Sequence, residues 1–313
     1  MIQRVAACLL MATVVGISGG CSGTTGVSTT KVNNPASKPV VKDATREELL
    51  DKYNAMAQGV KTVNATVIMR PTAGSKYTSV IEEYHDVKAF LLAQRPANIR
   101  VIGQVAVIGT TVFDMASDGN SFRVSIPSKS KFLVGAVAVE RSSEKPIENL
   151  RPQHLLEALL WPEIQKKEVV LIEEFNDQSG RYYVLTVLRG GYETEILRKI
   201  WFNRADLQVS RIQNFGPKGV MLSDVLVSDW KPVDAPANPP AGVPATGGAQ
   251  LFPHAISIER PHDDYRLDML VTKITLNEEI PVERFKLDQP AGSELVRVTD
   301  DSASKAPPKD AKP

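Results

Sequence analysis

From Phe90 to Gly135, apolar and polar residues alternate with the two-residue period of β-strands. Ile99, Val101, Val105 and Val107 fall on one face, Gly103 breaks the row, and Gly109 ends it, which predicts a bend or bulge at Gly103. Thr111 to Met115 then leads into Ser117-Asp118-Gly119-Asn120, an Asp-Gly turn, after which Phe122, Val124 and Ile126 alternate with Ser121, Arg123 and Ser125. Each strand therefore has one wet face and one dry face.

Around this stretch the pattern predicts two helices and further strands. Thr45 and Glu48 have capping-box spacing, and Leu49, Tyr53, Met56 and Val60 follow as one apolar stripe. Val63, Ala65, Val67 and Met69 alternate up to Pro71, and Tyr77 to Gln94 reads as one long strand or two. Pro152 opens a short helix in which Leu155, Leu156, Leu159, Leu160 and Trp161 crowd one side before Pro162 stops it. Strands are expected over residues 169–175, 181–188, 194–203, 207–215, 220–230, 255–259 and 267–276, joined by short Gly, Asp or Pro turns in an antiparallel meander. The expected fold class is mainly β (α+β): a curved antiparallel sheet forming an incomplete barrel, with helices packed on or lidding its concave side.

The chain of 313 residues exceeds one average domain, but its ends and one internal stretch are low in large apolar residues, which leaves one core domain of roughly 200 residues. The expected organisation is a signal peptide over 1–20, a flexible tether over 21–43, a core domain over 44–231 and 251–295, a Pro/Ala/Gly-rich insertion over 232–250 and a polar tail over 296–313. Lys plus Arg number 37 against 36 Asp plus Glu, a formal net charge of +1, so bulk charge gives no case for a nucleic-acid partner. Both cysteines, Cys8 and Cys21, lie near the N-terminus and cannot staple the domain.

Arg4 followed by the apolar run Val5 to Ile17 and small residues before Cys21 has the form of an export signal. No other apolar run approaches the roughly 20 residues of a spanning helix. The alternative to lipidation at Cys21 is an ordinary cleaved signal peptide.

Catalytic chemistry finds little support, and no enzyme, cofactor, catalytic residue or metal site is expected. His85 and Asp86 are adjacent in a predicted strand and point to opposite faces. His154 opens a helix and is expected at the surface. His262-Asp263-Asp264 lacks a second ligand group at metal spacing and reads as a solvated turn. The pairs Glu82-Glu83, Glu173-Glu174 and Glu278-Glu279 diverge as strand neighbours do. Gly216-Pro217-Lys218-Gly219 lacks the spacing of a phosphate loop and reads as a turn.

Ile17-Ser18-Gly19-Gly20-Cys21 resembles a bacterial lipobox, with Ser18 where leucine is usual. That resemblance implies diacylation of Cys21 (a palmitate-type lipid anchor), and Ser22 after it implies the outer membrane, facing the periplasm. Three further segments resemble the LolA/LolB-like lipoprotein-carrier superfamily: Arg95-Pro96-Ala97-Asn98-Ile99-Arg100 ahead of a strand, Phe113 to Phe122 with its Ser-Asp-Gly hairpin, and the closing Phe285-Lys286-Leu287-Asp288-Gln289-Pro290-Ala291-Gly292. The resemblance spans Thr45 to Gly292 and implies an incomplete antiparallel barrel whose apolar hollow holds acyl chains under helical lids, with the lipid-anchored receptor type nearest in form.

On that reading Ile99, Val101, Val105, Val107, Phe122, Val124 and Ile126 are the sheet-side candidates and Leu155, Leu159 and Trp161 the lid candidates. Expected partners are the membrane, through the N-terminal lipid, acyl chains or lipoproteins, and periplasmic carrier or envelope proteins. The competing reading is a structural or assembly envelope lipoprotein whose core is filled by its own side chains.

Overall fold

The computed structural model describes residues 41–75, 80–105, 108–138, 149–234 and 249–298. The Cys21 anchor, the signal segment and the tether through residue 40 lie outside them, as do Val107 and most of the expected insertion.

Helix α1, Arg46–Gly59, starts as its sequence directs. The Thr45 hydroxyl accepts from the Glu48 N–H at 3.2 Å and the Glu48 carboxylate accepts from the Thr45 N–H at 2.8 Å, so two donors that a helix start leaves free are both used. The stripe it buries is Leu49, Tyr53 and Ala57. Thr45→Ala is expected to cost about 1 kcal/mol and to lower the melting temperature by about 2–4 °C in thermal denaturation, with Thr45→Ser close to wild type.

Among the described residues fifteen strands form one sheet. In chain order they are β1 (Thr62–Ser75), β2 (Val80–Glu83), β3 (Val87–Gln94), β4 (Asn98–Val105), β5 (Thr111–Ser117), β6 (Ser121–Ile126) and β7 (Lys131–Ala136), then helix α2 (Pro152–Leu159). Strands β8 (Glu168–Asn176), β9 (Arg181–Arg189), β10 (Glu195–Asn203), β11 (Val209–Phe215), β12 (Met221–Val233), β13 (Gln250–Arg260), β14 (Tyr265–Leu276) and β15 (Glu294–Val298) come after it. Side by side they run β15-β7-β6-β5-β4-β3-β1-β14-β13-β12-β11-β10-β9-β8, with β2 on β1 alone. The sheet is not closed, since β15 and β8 end the path.

It is also mixed rather than wholly antiparallel, because β15 pairs with β7 in parallel. Residues 277–293 carry the chain back past the sheet, so β15 enters running the same way as its neighbour. β15 lies partly within the expected tail, and β12 and β13 reach into both ends of the expected insertion.

One face of the sheet holds the core. Val63, Ala65, Val67 and Met69 of β1, Leu91 of β3, Ile99 and Val101 of β4, Leu185 of β9, Ile200 of β10, Ile258 of β13 and Leu267 of β14 form one buried cluster with both helices. Helix α2 touches β4, β5 and β13 together. In a flat sheet β4 and β13 would stand four strand spacings apart, about 19 Å, so the sheet curls and this face is the inner, concave one. The expected break at Gly103 is a register shift between Gly103 and Gln104, and the Phe113 ring occupies the space that a side chain at Gly103 would need.

The three segments that carry the family resemblance meet at one corner. Gly119, at φ +89°, sits against Ala97, whose Cβ is 2.4 Å from where a residue-119 Cβ would stand, so the hairpin turn and the Arg-Pro loop fit together only with glycine. Arg100 grips Asp114 through Nη2 and Nε at 2.8 and 3.1 Å, and its Nη1 donates to the carbonyls of Arg284 and Lys286 at 3.1 and 3.0 Å. Phe285 is buried with Leu92 and Ile280, and Leu287 with Ala116 and Phe132.

His85 and Asp86 are not in a strand, contrary to expectation. Two residues of β1, Arg70 and Pro71, lie opposite three, Tyr84 to Asp86, and Pro71 has no N–H to offer the ladder. Asp86 instead binds Arg70 side-on at 2.7 and 2.8 Å.

Candidate functional site

Both helices end at the same place on the concave side, and one side chain joins them. Arg95, in the tight loop between β3 and β4, donates to the carbonyls of Ala57 (2.8 Å) and Val60 (2.9 Å) at the end of α1 and to that of Trp161 (2.7 Å) just beyond α2. Burial lowers its pKa, yet a guanidinium stays charged at any physiological pH. Tyr53 of α1 stacks on Trp161 with ring centres 6.0 Å apart, and its hydroxyl, whose pKa burial pushes up to about 12, donates to the Pro162 carbonyl at 3.0 Å. The Asn54 side-chain amide donates through Nδ2 to the Ile164 carbonyl and accepts at Oδ1 from the Ile164 N–H. Trp230 of β12 meets Trp161 edge-on at 6.0 Å. Between Arg95, Trp161, Trp230, Met56, Leu159 and Phe252 is a hollow of about 20 Å³, room for about one water.

The other end of α2 is held by polar contacts. The Arg151 guanidinium lies over the Phe122 ring at 4.6 Å, the Gln153 amide donates to the Ser117 hydroxyl, and His154 Nδ1 bonds the Tyr265 hydroxyl. Arg260 and Asp263, paired at 2.7 Å, stand beside them. Burial, with Arg260 and Arg151 nearby, holds the His154 imidazole well below its usual range, and burial raises the Tyr265 phenol. His154 is thus not the surface residue the sequence suggests, because Pro152 starts the helix inside the sheet's curl and turns its first turn toward β14.

A histidine neutral in place and freely protonated once released favours the docked helix above about pH 6.5 and loses that preference as pH falls from there toward its own lowered value. The protection of α2 amides, measured as exchange relative to the intrinsic rate at each pH, is expected to fall between pH 7 and 5.5, with the change much reduced in His154→Gln. Glu157, exposed on α2, is present in both proteins, so the comparison removes its contribution.

Of the sequence candidates, Ile99, Val101, Leu155, Leu159 and Trp161 are buried together in the main cluster, and Val124 packs half-buried against it. Phe122 is buried beneath Arg151. Ile126 is half-buried, and Val105, expected on the dry face, is 40 % exposed at the end of β4. The residues that join the helices, Arg95 and Tyr53, were not among the candidates, although both lie in segments the sequence marks: Tyr53 on the α1 stripe and Arg95 in the Arg-Pro entry. Trp230 gives no sequence signal.

The charged groups weighed for chemistry go to structural pairs: Glu174 to Arg204 at 2.7 Å, Glu173 to Lys199 at 3.8 Å, Glu278 to Asn64 at 3.0 Å and Asp263 to Arg260. Among the described residues no group of His, Cys, Asp and Glu gathers as a metal would require, and no helix is long and apolar enough to cross a membrane.

No protein-family model and no curated protein sequence matches the chain. Solved structures do. A LolA superfamily protein from Nitrosomonas europaea matches at 12 % identity and a TM-score of 0.45, over 78 % of this chain and 99 % of its own. A putative outer membrane lipoprotein-sorting protein domain from Vibrio parahaemolyticus matches at 12 % identity and 0.46, over 76 % and 94 %. A DUF1329 family protein from Desulfovibrio piger also matches, at 12 % identity and 0.45, over 80 % and 98 %. What the site does is argued from its own geometry.

Proposed function

We propose that this chain is a lipoprotein anchored through Cys21 to the outer membrane, facing the periplasm, that takes the acyl chains of lipids or lipoproteins onto the concave face of its sheet during lipoprotein sorting. The observation that carries this is the way the apolar face is covered. Helix α2 lies across β4, β5 and β13 with Leu155 and Leu159 buried, but its two ends are tied down by Arg95 and by the Gln153, His154 and Arg151 contacts.

Lifting α2 as a unit would break these polar contacts and uncover its buried Leu155, Leu156 and Leu159 together with the apolar sheet face beneath, surface that stabilises a bound chain by about 0.8 kcal/mol per buried CH₂. Phe113, Val124 and Leu133, half-buried on the same face by register, extend that surface beyond the helix. Ile99, Val101, Phe122, Leu155, Leu159 and Trp161 would line the opened site.

With α2 down, the hollow beside Trp161 holds about 20 Å³, far too little for an acyl chain, so entry requires the helix to move. The same small volume favours a second reading, a tethered envelope protein whose core is complete without a ligand.

Native mass spectrometry of the Cys21→Ala chain, released into the periplasm and purified without detergent, separates the two. A fraction carrying the added mass of an acyl lipid is expected. Ligand-free mass alone, before and after incubation with a fatty acid, overturns lipid binding. The anchor is tested separately: Cys21→Ala should leave the membrane fraction, and unchanged fractionation overturns lipidation.

A further inference from the structure

Strands β13 and β14 pair only from Ala255 opposite Leu270 to Arg260 opposite Tyr265. Beyond that point Gln250 to Pro253 keeps its pairing with β12, and Val271 to Leu276 keeps its pairing with β1. Two strands inside the sheet therefore diverge into a fork, and among the described residues no other strand fills it.

The cause is local. Thr272 is an extra residue in β14, since Thr66 and Val67 of β1 lie opposite Lys273 and Val271, and its hydroxyl donates to the Thr66 carbonyl at 3.0 Å. Pro253 has no N–H to offer a ladder. Across from His254, Asp229 of β12 has φ +56°, a left-handed conformation that breaks the regular extension of the β12–β13 pair.

The outer part of the fork is a cleft of about 460 Å³, in the range of about 300–1,000 Å³ usual for small-molecule clefts. Asp234, His254, Thr272 and Lys273 give it a polar rim, and Val233 and Ile274 are its apolar members. Val233 is buried in the main cluster and Ile274 packs against it, together with Phe252, which lines the hollow beside Trp161. The wall here is thus polar outside and apolar inside. Widening it breaks no ladder bond between β13 and β14, whereas parting fully paired strands would leave a row of backbone groups without partners.

The fork also adjoins the end of α1. The Gln250 amide packs on Gly59, and Asn277 accepts from the Lys61 N–H and donates to the Gly59 carbonyl, both at 2.7 Å. Arg95 holds that same end of α1 together with the end of α2.

We propose that this fork is where an acyl chain enters, which rests on the lipid-binding reading. An amphiphile matches the lining: its polar end stays in the cleft with His254 and Lys273, and its tail runs inward between Phe252 and Ile274 to the hollow and the face that α2 uncovers.

Entry is timed by stopped-flow quenching of tryptophan with a brominated fatty acid, in the full chain carrying Cys8→Ser and Cys21→Ala. Lys273→Cys, exposed on the cleft rim, is joined to a bulky maleimide, and Tyr192→Cys, fully exposed in the turn between β9 and β10, takes the same reagent as a control. The label on residue 273 is expected to slow quenching at least about tenfold, and the label on residue 192 to leave it as in the unlabelled chain. Quenching at an unchanged rate with residue 273 labelled overturns the fork as the route and leaves lipid binding standing. Equal slowing from residue 192 also overturns the route. An unlabelled chain that is not quenched at all overturns both the route and the lipid-binding reading.

Discussion

Arg95→Leu is expected to lower the stability of the domain by about 2–4 kcal/mol and to loosen both helices at once. Three hydrogen bonds run from one guanidinium to the carbonyls of Ala57, Val60 and Trp161. Bonds to a charged group contribute about 1.5–3 kcal/mol each, and carbonyls stripped of a partner in a half-buried site add their own cost. The sum falls short of three full bonds because water reaches the loop once the guanidinium is gone. In a domain of this size the change lowers the melting temperature by about 5–15 °C. Hydrogen exchange distinguishes the cause, since amides at the end of α1 and throughout α2 should lose protection together while β9 and β10 keep theirs. Arg95→Lys should recover only part of the loss, because an ammonium cannot span three carbonyls as a planar fork does.

Leu155→Ala is expected to cost about 2–5 kcal/mol, the range for a leucine removed from a closed core. Leu155 is fully buried at the centre of α2, where the helix crosses the inner faces of β4 and β5. Val105→Ala, on the same face of β4 but 40 % exposed, should stay within about 0.5 kcal/mol. The two readings of the domain differ in the effect of the leucine's loss on binding. If the face beneath α2 takes an acyl chain, the helix is displaced in the bound form, Leu155 contributes less there, and the variant binds a fatty acid more readily than wild type. If the core is complete in itself, the variant is simply less stable.

Much of this architecture is legible in the chain because strand alternation and capping are local signals. Thr45 and Glu48 announce α1, the Val63–Met69 alternation gives the inner face of β1, and Gly103 marks a real break in register. The parallel strand β15 is not legible: its five residues carry no clear alternation, and its direction is set by where the chain re-enters the sheet. The links holding the helices are legible only in part. Arg95 and Tyr53 lie in recognisable segments, but that one arginine reaches the ends of both helices depends on a curl joining residues 38 and 66 positions away. His154 is misplaced by the sequence because a helix start beside proline usually faces solvent, whereas this one begins under the sheet. The exposure of Val105 reflects the end of its strand, which period alone does not locate.

The most direct test is tryptophan quenching by a fatty acid brominated along its chain. Trp161 and Trp230 flank the hollow at the end of α2, while Trp201 lies between the inward-facing Ile200 and Phe202 and so points to the outer face. If an acyl chain enters beneath α2, fluorescence falls on titration, the fall is larger in Arg95→Leu, and it disappears in Trp161→Phe/Trp230→Phe, which keeps only Trp201. Fluorescence unchanged by the brominated chain, or quenching that survives in the Trp201-only protein, would contradict an acyl site on the concave face.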